Sequence, residues 1–230
     1  MNPNKWRCPI PKLVPVKQRF DSPVIGDPKQ TAFSLISKSL RSDEKIAPGC
    51  KIALTAGSRG IGQIDDILAG VVNAVKNYKC EPIIIPSMGS HGGKDPEAKK
   101  KILIRQRITE ASINAPISKT AESVLIGRAG DDLPVYCQAE ALSSDAIIII
   151  NRIKPHTDFR GSRESGLLKM VAVRLGGELG AASIHSKGYE FIENRIRVTG
   201  EFAINLLNIH GGLAIIEGPT GLPLHIECVP

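Results

Sequence analysis

The sequence predicts an α/β protein, a mainly parallel sheet with helical crossovers. Three observations carry the prediction. The runs KIALT (51–55), EPIIIP (81–86) and DAIIIIN (145–151) are short, aliphatic and bounded by turn residues, as buried strands are. Residues 65–79 between the first two read as an amphipathic helix with Ile67, Leu68, Val71, Val72 and Val75 on its inner side. A second helix follows EPIIIP and its turn. Strand, turn, helix in succession is the order of a parallel sheet covered by its crossovers.

The elements follow in chain order. Residues 1–30 are rich in proline and polar groups and read as an extended arm or an edge strand. TAFSLISKSLRS (31–42) repeats Phe33, Ile36 and Leu40 at helical spacing, and Pro48-Gly49 breaks the chain after it. The helix after EPIIIP opens at Asp95-Pro96 and runs to about Arg107. After DAIIIIN comes a polar loop (152–165), a helical pattern (167–175) and a late strand, GGLAIIE (211–217). There is no internal repeat and no low-complexity segment.

Composition bounds the function. The chain has 230 residues, 42% hydrophobic and 23% charged, which excludes a disordered tail, a collagen and a disulfide miniprotein. No apolar run approaches the ~20 residues of a membrane helix. The N-terminal MNPNKWRCPIPKL has no signal-peptide core, so a cytoplasmic protein without a membrane partner is expected. Cys8, Cys50, Cys80, Cys137 and Cys228 form no CxxC pair, which argues against zinc-ribbon or ferredoxin chemistry. Cys137 is expected to be a buried small apolar residue. The net charge of +7 suits an anionic partner, while 4% aromatic residues and the lack of a nucleic-acid motif argue against nucleic acid. The densest basic stretch, KDPEAKKKILIRQR (94–107), reads as a solvated helix face, with an anion-attracting rim as the alternative.

In open α/β sheets ligands sit beyond the carboxyl ends of the strands. Three loops leave those ends here: TAGSRGIG (55–62), PSMGSHGG (86–93) and NRIKPHTDFRGSRESG (151–166). The first looks like the glycine turn of short-chain dehydrogenases, which implies an NAD(P)-dependent reductase. That family's Tyr-x-x-x-Lys is missing, because Tyr78, Tyr136 and Tyr189 are followed four residues on by Pro82, Glu140 and Glu193. His91, flanked by glycines, can shuttle a proton near neutral pH or bond its own turn.

Residues 151–170 gather Arg152, Lys154, His156, Asp158, Arg160, Arg163, Glu164 and Lys169. Gly161, Ser162, Ser165 and Gly166 among them can cradle a phosphate through backbone amides. Such density suits a site, and a non-catalytic nucleotide- or anion-binding module would share that cradle. Lys169, set among Leu167, Leu168, Met170 and Val171, is either a desolvated nucleophile or a snorkelling surface lysine. His185 follows a run of small residues (176–182) that lets a bulky group lie against the backbone; otherwise it is an ordinary loop histidine. His210 and His225 are read as structural or surface residues.

GSRGI, PSMGSHGG, NRIKPHTDFRGSRESGLLKM and GAASIH, in this order and spacing, resemble the nickel-dependent lactate racemase superfamily, its racemase-like branch more than lactate racemase itself. The resemblance runs from about Ile52 to Glu217. It implies a Rossmann-like, single N-terminal domain of a two-domain family. Residues 1–45 would be an arm and first helix, and 46–230 an α/β cofactor-binding domain, with the family's C-terminal domain absent. It implies a nickel-pincer nucleotide carried on Lys169, with His185 as the nickel ligand and Ser162, Gly166, Ser58 and Gly89 around the cofactor. An imidazole beside soft sulfur donors suits square-planar nickel.

His91 and His156 would be the two acid–base residues and Arg59 the carboxylate-orienting one. The implied reaction inverts a small anionic 2-hydroxy acid by proton removal from the hydroxyl and hydride transfer to the cofactor. Two bases are needed because the hydroxyl points in opposite directions in the two enantiomers. The implied partners are this substrate and the cofactor-building enzymes, with a homo-oligomer left open. The cofactor depends on those enzymes and can be missing from a given preparation. The stretch between His156 and Lys169 is longer than in lactate racemase, so pocket and substrate are expected to differ.

Overall fold

Strand order explains where a ligand can sit. The computed structural model describes residues 12–156, 160–161, 164–186 and 188–230. In chain order the elements are α1 (Pro28–Ser42), β1 (Lys51–Ala56), α2 (Ile64–Asn77), β2 (Glu81–Pro86), α3 (Pro96–Arg105) and α4 (Glu110–Ile113). Next come β3 (Ser123–Ala129), β4 (Leu133–Gln138), α5 (Ala139–Leu142), β5 (Ala146–Arg152) and α6 (Leu167–Lys169), which runs straight into a π-helical turn, Met170–Arg174. The chain ends with α7 (Gly177–His185), a 3-10 turn (Tyr189–Phe191), α8 (Ile192–Leu206), β6 (Ile209–Glu217) and β7 (Pro223–Val229).

The main sheet has the order β2-β1-β5-β6-β7. β1 pairs in parallel with β2 and β5, β5 in parallel with β6, and only β7 is antiparallel. The predicted α/β class with a mainly parallel sheet is therefore correct. From β1 the chain steps outward to β2, then crosses back to lay β5 and β6 on the other side. Strand order reverses between β1 and β5, where open sheets of this kind form a crevice.

The aliphatic strands are buried on both faces, and alternate side chains feed two cores. Ile148 and Ile150 pack with Ile36, Leu40, Ile67, Leu68 and Val71 from α1 and α2. Ile147 and Ile149 pack on the other face with Val135 and Cys137 of β4, Met170 and Val171 of the π turn, and Ala203 of α8. α1 starts at Pro28, three residues before the predicted helix, because the Asp27 carboxylate accepts the Gln30 N–H at 2.8 Å and caps it. Residues 12–27 form no strand.

Several elements escape the pattern. β3 is exposed or half-buried except at Ala129 and carries a bulge between Leu125 and Gly127, which interrupts its alternation. α8 buries Arg195, Thr199 and Gly200 on the same face as Ile192 and Ile196, so its helical stripe is not apolar. β7, which the sequence reading did not anticipate, pairs antiparallel along β6.

The basic stretch is a solvated face with one correction: Lys99 is 1% exposed, and its ammonium has no hydrogen-bond partner among the described residues. Its stem lies under the His91 loop, where a Cβ on Gly92 would come within 2.9 Å of Lys99 Cγ. Burial pushes its pKa down, and Glu178 offsets part of that. Cys137 is fully buried as expected, and burial raises its thiol pKa to about 12. His210 is structural, tying β6 to the end of α1 through Asp43 at 2.7 Å and Ser39 at 2.9 Å. His225 is an exposed residue beside Glu227.

Candidate functional site

The crevice opens because β1 and β5 part company. Their ladder runs from Ile52 opposite Ala146 to Leu54 opposite Ile148 and then stops. The buried Thr55 hydroxyl takes over, accepting the Ile150 N–H at 2.8 Å. Beyond that point the loops after β1, β2 and β5 enclose a pocket of about 210 Å³. Ser58 and Arg59 come from the first loop, Gly89, Ser90 and His91 from the second, and His156 from the third. Lys169, Val173, Arg174, Ala181 and His185 close the far side. A recess of about 40 Å³ continues behind it, lined by Arg59, Arg152, Lys154, His156, Lys169 and Arg174. The main pocket is smaller than the ~300–1,000 Å³ of full ligand sites, so it fits a small ligand or part of a larger one. A larger open groove, about 430 Å³ over Lys94, Lys119, Glu122 and Glu178, contains no histidine and no arginine.

Each histidine has a distinct setting. His91 Nδ1 is 2.7 Å from the Ser58 hydroxyl, which leaves Nε2 for a ligand. Partial burial lowers its pKa, and the cations of Arg174 and Arg59 lower it further. His156 is held through its backbone: its N–H donates to Glu164 at 2.7 Å, and the Gly161 N–H donates to the same carboxylate at 3.0 Å. These two donors keep Glu164 below the usual carboxylate range. His185 is the last residue of α7 and reaches solvent, yet desolvation by the pocket wall lowers its pKa, with Lys169 adding to the effect. All three rings are thus placed in one pocket, two of them biased toward the neutral form.

The other predicted site residues divide. Lys169 lines the pocket, with Nζ 3.5 Å from the Glu164 carbonyl. Ser58 and Gly89 line it too. Gly166 is buried beneath it as the residue before α6, and its carbonyl accepts from Asn151 Nδ2 at 2.7 Å. The Ser165 hydroxyl is engaged by the Lys154 N–H at 2.7 Å. Ser162, Asp158 and Arg163 lie outside the described residues. The small-residue run before His185 serves mainly packing: a Cβ on Gly176 would lie 2.8 Å from the Tyr136 carbonyl, so α7 rests directly on β4. Only Ala181 of that run faces the pocket.

Two arginines were not found from the sequence. Arg174 lines both cavities, five residues after Lys169. Arg195, 8% exposed, donates to the carbonyls of Ser183 and Ile184 at 3.1 and 2.9 Å and to the Ser186 hydroxyl at 3.0 Å. It therefore caps the end of α7 that carries His185. No sequence signal marks it, because an arginine inside a helical stripe ordinarily reads as exposed.

No family model matches the chain, and no curated protein is detectably similar to it. Among solved structures it is similar to the lactate racemase apoprotein from Thermoanaerobacterium thermosaccharolyticum. The TM-score is 0.62 at 12% identity, over 91% of this chain and 56% of that one. At this identity the likeness is one of fold. The chain spans 56% of the length of that structure. Among the described residues no group of three or more His, Cys, Asp or Glu could hold a metal ion, and no helix is long and apolar enough to cross a membrane.

Proposed function

We propose that this chain is a racemase- or epimerase-type domain acting on a small anionic 2-hydroxy acid, with a nickel-pincer nucleotide as its cofactor. The observation that carries the reading is convergence. Arg59, His91, His156, Lys169 and His185, drawn from five separate segments, line one pocket at the carboxyl edge of a sheet that resembles a racemase fold.

The donor set fits such a group. Among the described residues no group of three or more His, Cys, Asp or Glu could hold a bare metal, and a single imidazole at His185 suits a metal that brings its other ligands with it. Arg59, Lys169 and Arg174 supply positive charge for a phosphorylated group. Lys169 would carry the cofactor and His185 would complete its metal. The bound group would supply the hydride acceptor.

The chain's own residues bind and move protons. Arg59 orients the carboxylate, since a guanidinium pairs with it through two parallel bonds. His91, neutral at physiological pH and bonded to Ser58 through Nδ1, offers Nε2 to the substrate hydroxyl. His156 serves the opposite enantiomer, its backbone held by Glu164. Nothing favours the reductase reading. In the TAGSRGIG turn Gly57 makes room for Arg174, and Gly62 packs against the Gly221 carbonyl.

The test is intact mass and nickel content after co-expression with cofactor-building enzymes. The expected result is a nucleotide-sized increment mapped to Lys169 with about one nickel per chain, both lost in Lys169→Ala. An unmodified, nickel-free wild-type chain overturns the cofactor reading. Oxyanion binding that survives Lys169→Ala, without any adduct in the wild type, would leave a non-catalytic binding module.

A further inference from the structure

Among the described residues Arg174 is a cation without a counterpart. Its neighbour Arg152 is ion-paired with Glu217, whose other oxygen accepts the Gly62 N–H at 2.7 Å. Arg59 and Arg174 have no acidic or hydrogen-bonding partner among the described residues. Arg174 is nonetheless partly buried, and it reaches so close to the end of β1 that a Cβ on Gly57 would lie 2.9 Å from its Nη1. Burial and the nearby guanidiniums of Arg59 and Arg152 hold its pKa below the usual arginine value. A half-buried charge beside two like charges costs stability unless an anion joins them.

The π turn aims this side chain. On an α-helix residues five apart lie about 140° apart around the axis. The wider turn, closed by the Leu175 N–H on the Met170 carbonyl at 2.9 Å, carries more residues per revolution. It brings Arg174 round so that it and Lys169 line the same cavity.

We propose that Arg174 is a second oxyanion-binding residue of this pocket, so that its ligand carries an anionic group beyond the one held by Arg59. The inference rests on the reading of this pocket as the ligand site. The second oxyanion is either another carboxylate on the substrate, as in a 2-hydroxy dicarboxylate, or the phosphate of a bound nucleotide.

Titration calorimetry on the ligand-free chain separates these sources, with lactate, malate and inorganic phosphate as probes. Arg174→Met is expected to weaken the preferred oxyanion at least about tenfold, the loss of one charge-assisted bond, and Arg174→Lys to restore part of it. Lactate, served by Arg59, is expected to change little. A malate-over-lactate preference that collapses in Arg174→Met assigns the group to the substrate; a loss confined to phosphate assigns it to the nucleotide. The ligand-free Arg174→Met chain is also expected to melt above the wild type, because an uncompensated charge is removed.

Equal affinities for all probes in wild type and Arg174→Met, no measurable oxyanion binding by the wild type, or a lower melting temperature in the variant overturns the proposal. The probes need no cofactor. A chain that never acquires nickel but shows the Arg174 effect refutes the racemase reading alone, whereas a nickel-loaded chain indifferent to Arg174 refutes this inference alone.

Discussion

Arg59, His91 and His156 stand on loops leaving β1, β2 and β5, whereas Lys169, Arg174 and His185 stand on α6, the π turn and α7. The first wall inherits its rigidity from aliphatic strands whose side chains, such as Ile148 and Ile149, are at most 1% exposed. The second also packs, through Met170, Val171 and Ile184, and adds polar bonds at its ends: Asn151 to the Gly166 carbonyl, Ser183 to the Pro134 carbonyl at 2.7 Å, and Arg195 to the end of α7. One wall is fixed chiefly by the packing of its strands, the other by packing together with individual donors. Losing a single bond should therefore displace the second wall more than the first.

The largest effect is expected at the second wall. Arg195→Ala removes three donated bonds and takes from the Ile184 carbonyl its donor, while the Ser183 carbonyl keeps those of Ser186, which should cost about 2–3 kcal/mol in urea unfolding. The His185 ring resonances should shift while those of His91 stay in place. Movement of both rings together would erase the distinction between the walls.

A smaller cost is expected where the first wall opens. Thr55→Val leaves the buried Ile150 N–H without its acceptor, a loss of about 1–2 kcal/mol. Because the strands beneath are packed on both faces, the His91 ring should keep its environment. A stability loss near zero would show that water enters the crevice and replaces the hydroxyl.

The smallest effect is a pH dependence shared by both walls. His91 and His185 titrate below their ordinary 6.5, so the unfolded chain takes up protons that the folded chain refuses. Stability should be full above about pH 7 and decline as pH falls through 6.5 toward the folded values. Urea midpoints at pH 7.5 and 5.5 test this, and the decline should shrink in His91→Gln and in His185→Gln. A midpoint that rises on acidification would contradict both shifts.

The same contrast governs what could be read in advance. KIALT, EPIIIP and DAIIIIN announce strands because residues buried on both faces must be aliphatic along their whole length. The loops at their ends then follow from topology, which is why Arg59, His91 and His156 were legible. Lys169 and His185 were legible as chemistry but not as geometry. Residues 167–175 carry a helical pattern, and nothing in it distinguishes an α turn from the π turn that brings Arg174 into the cavity. The hairpin β3–β4 was hidden by its bulge, and α8 by an arginine and a threonine buried on its inner stripe.

By itself, then, the sequence determined the class of fold, the edge of the sheet that bears the loops, and most of the residues gathered there. Those properties depend on burial periodicity and turn chemistry, which act over a few neighbouring positions. Tertiary structure alone decided that strand order reverses between β1 and β5, that Arg195 holds the end of α7, and that Arg174 faces the pocket with no acid paired to it among the described residues. Each of these depends on groups far apart in the chain meeting in a low-dielectric interior, where one unmatched charge or one donated bond outweighs local preference.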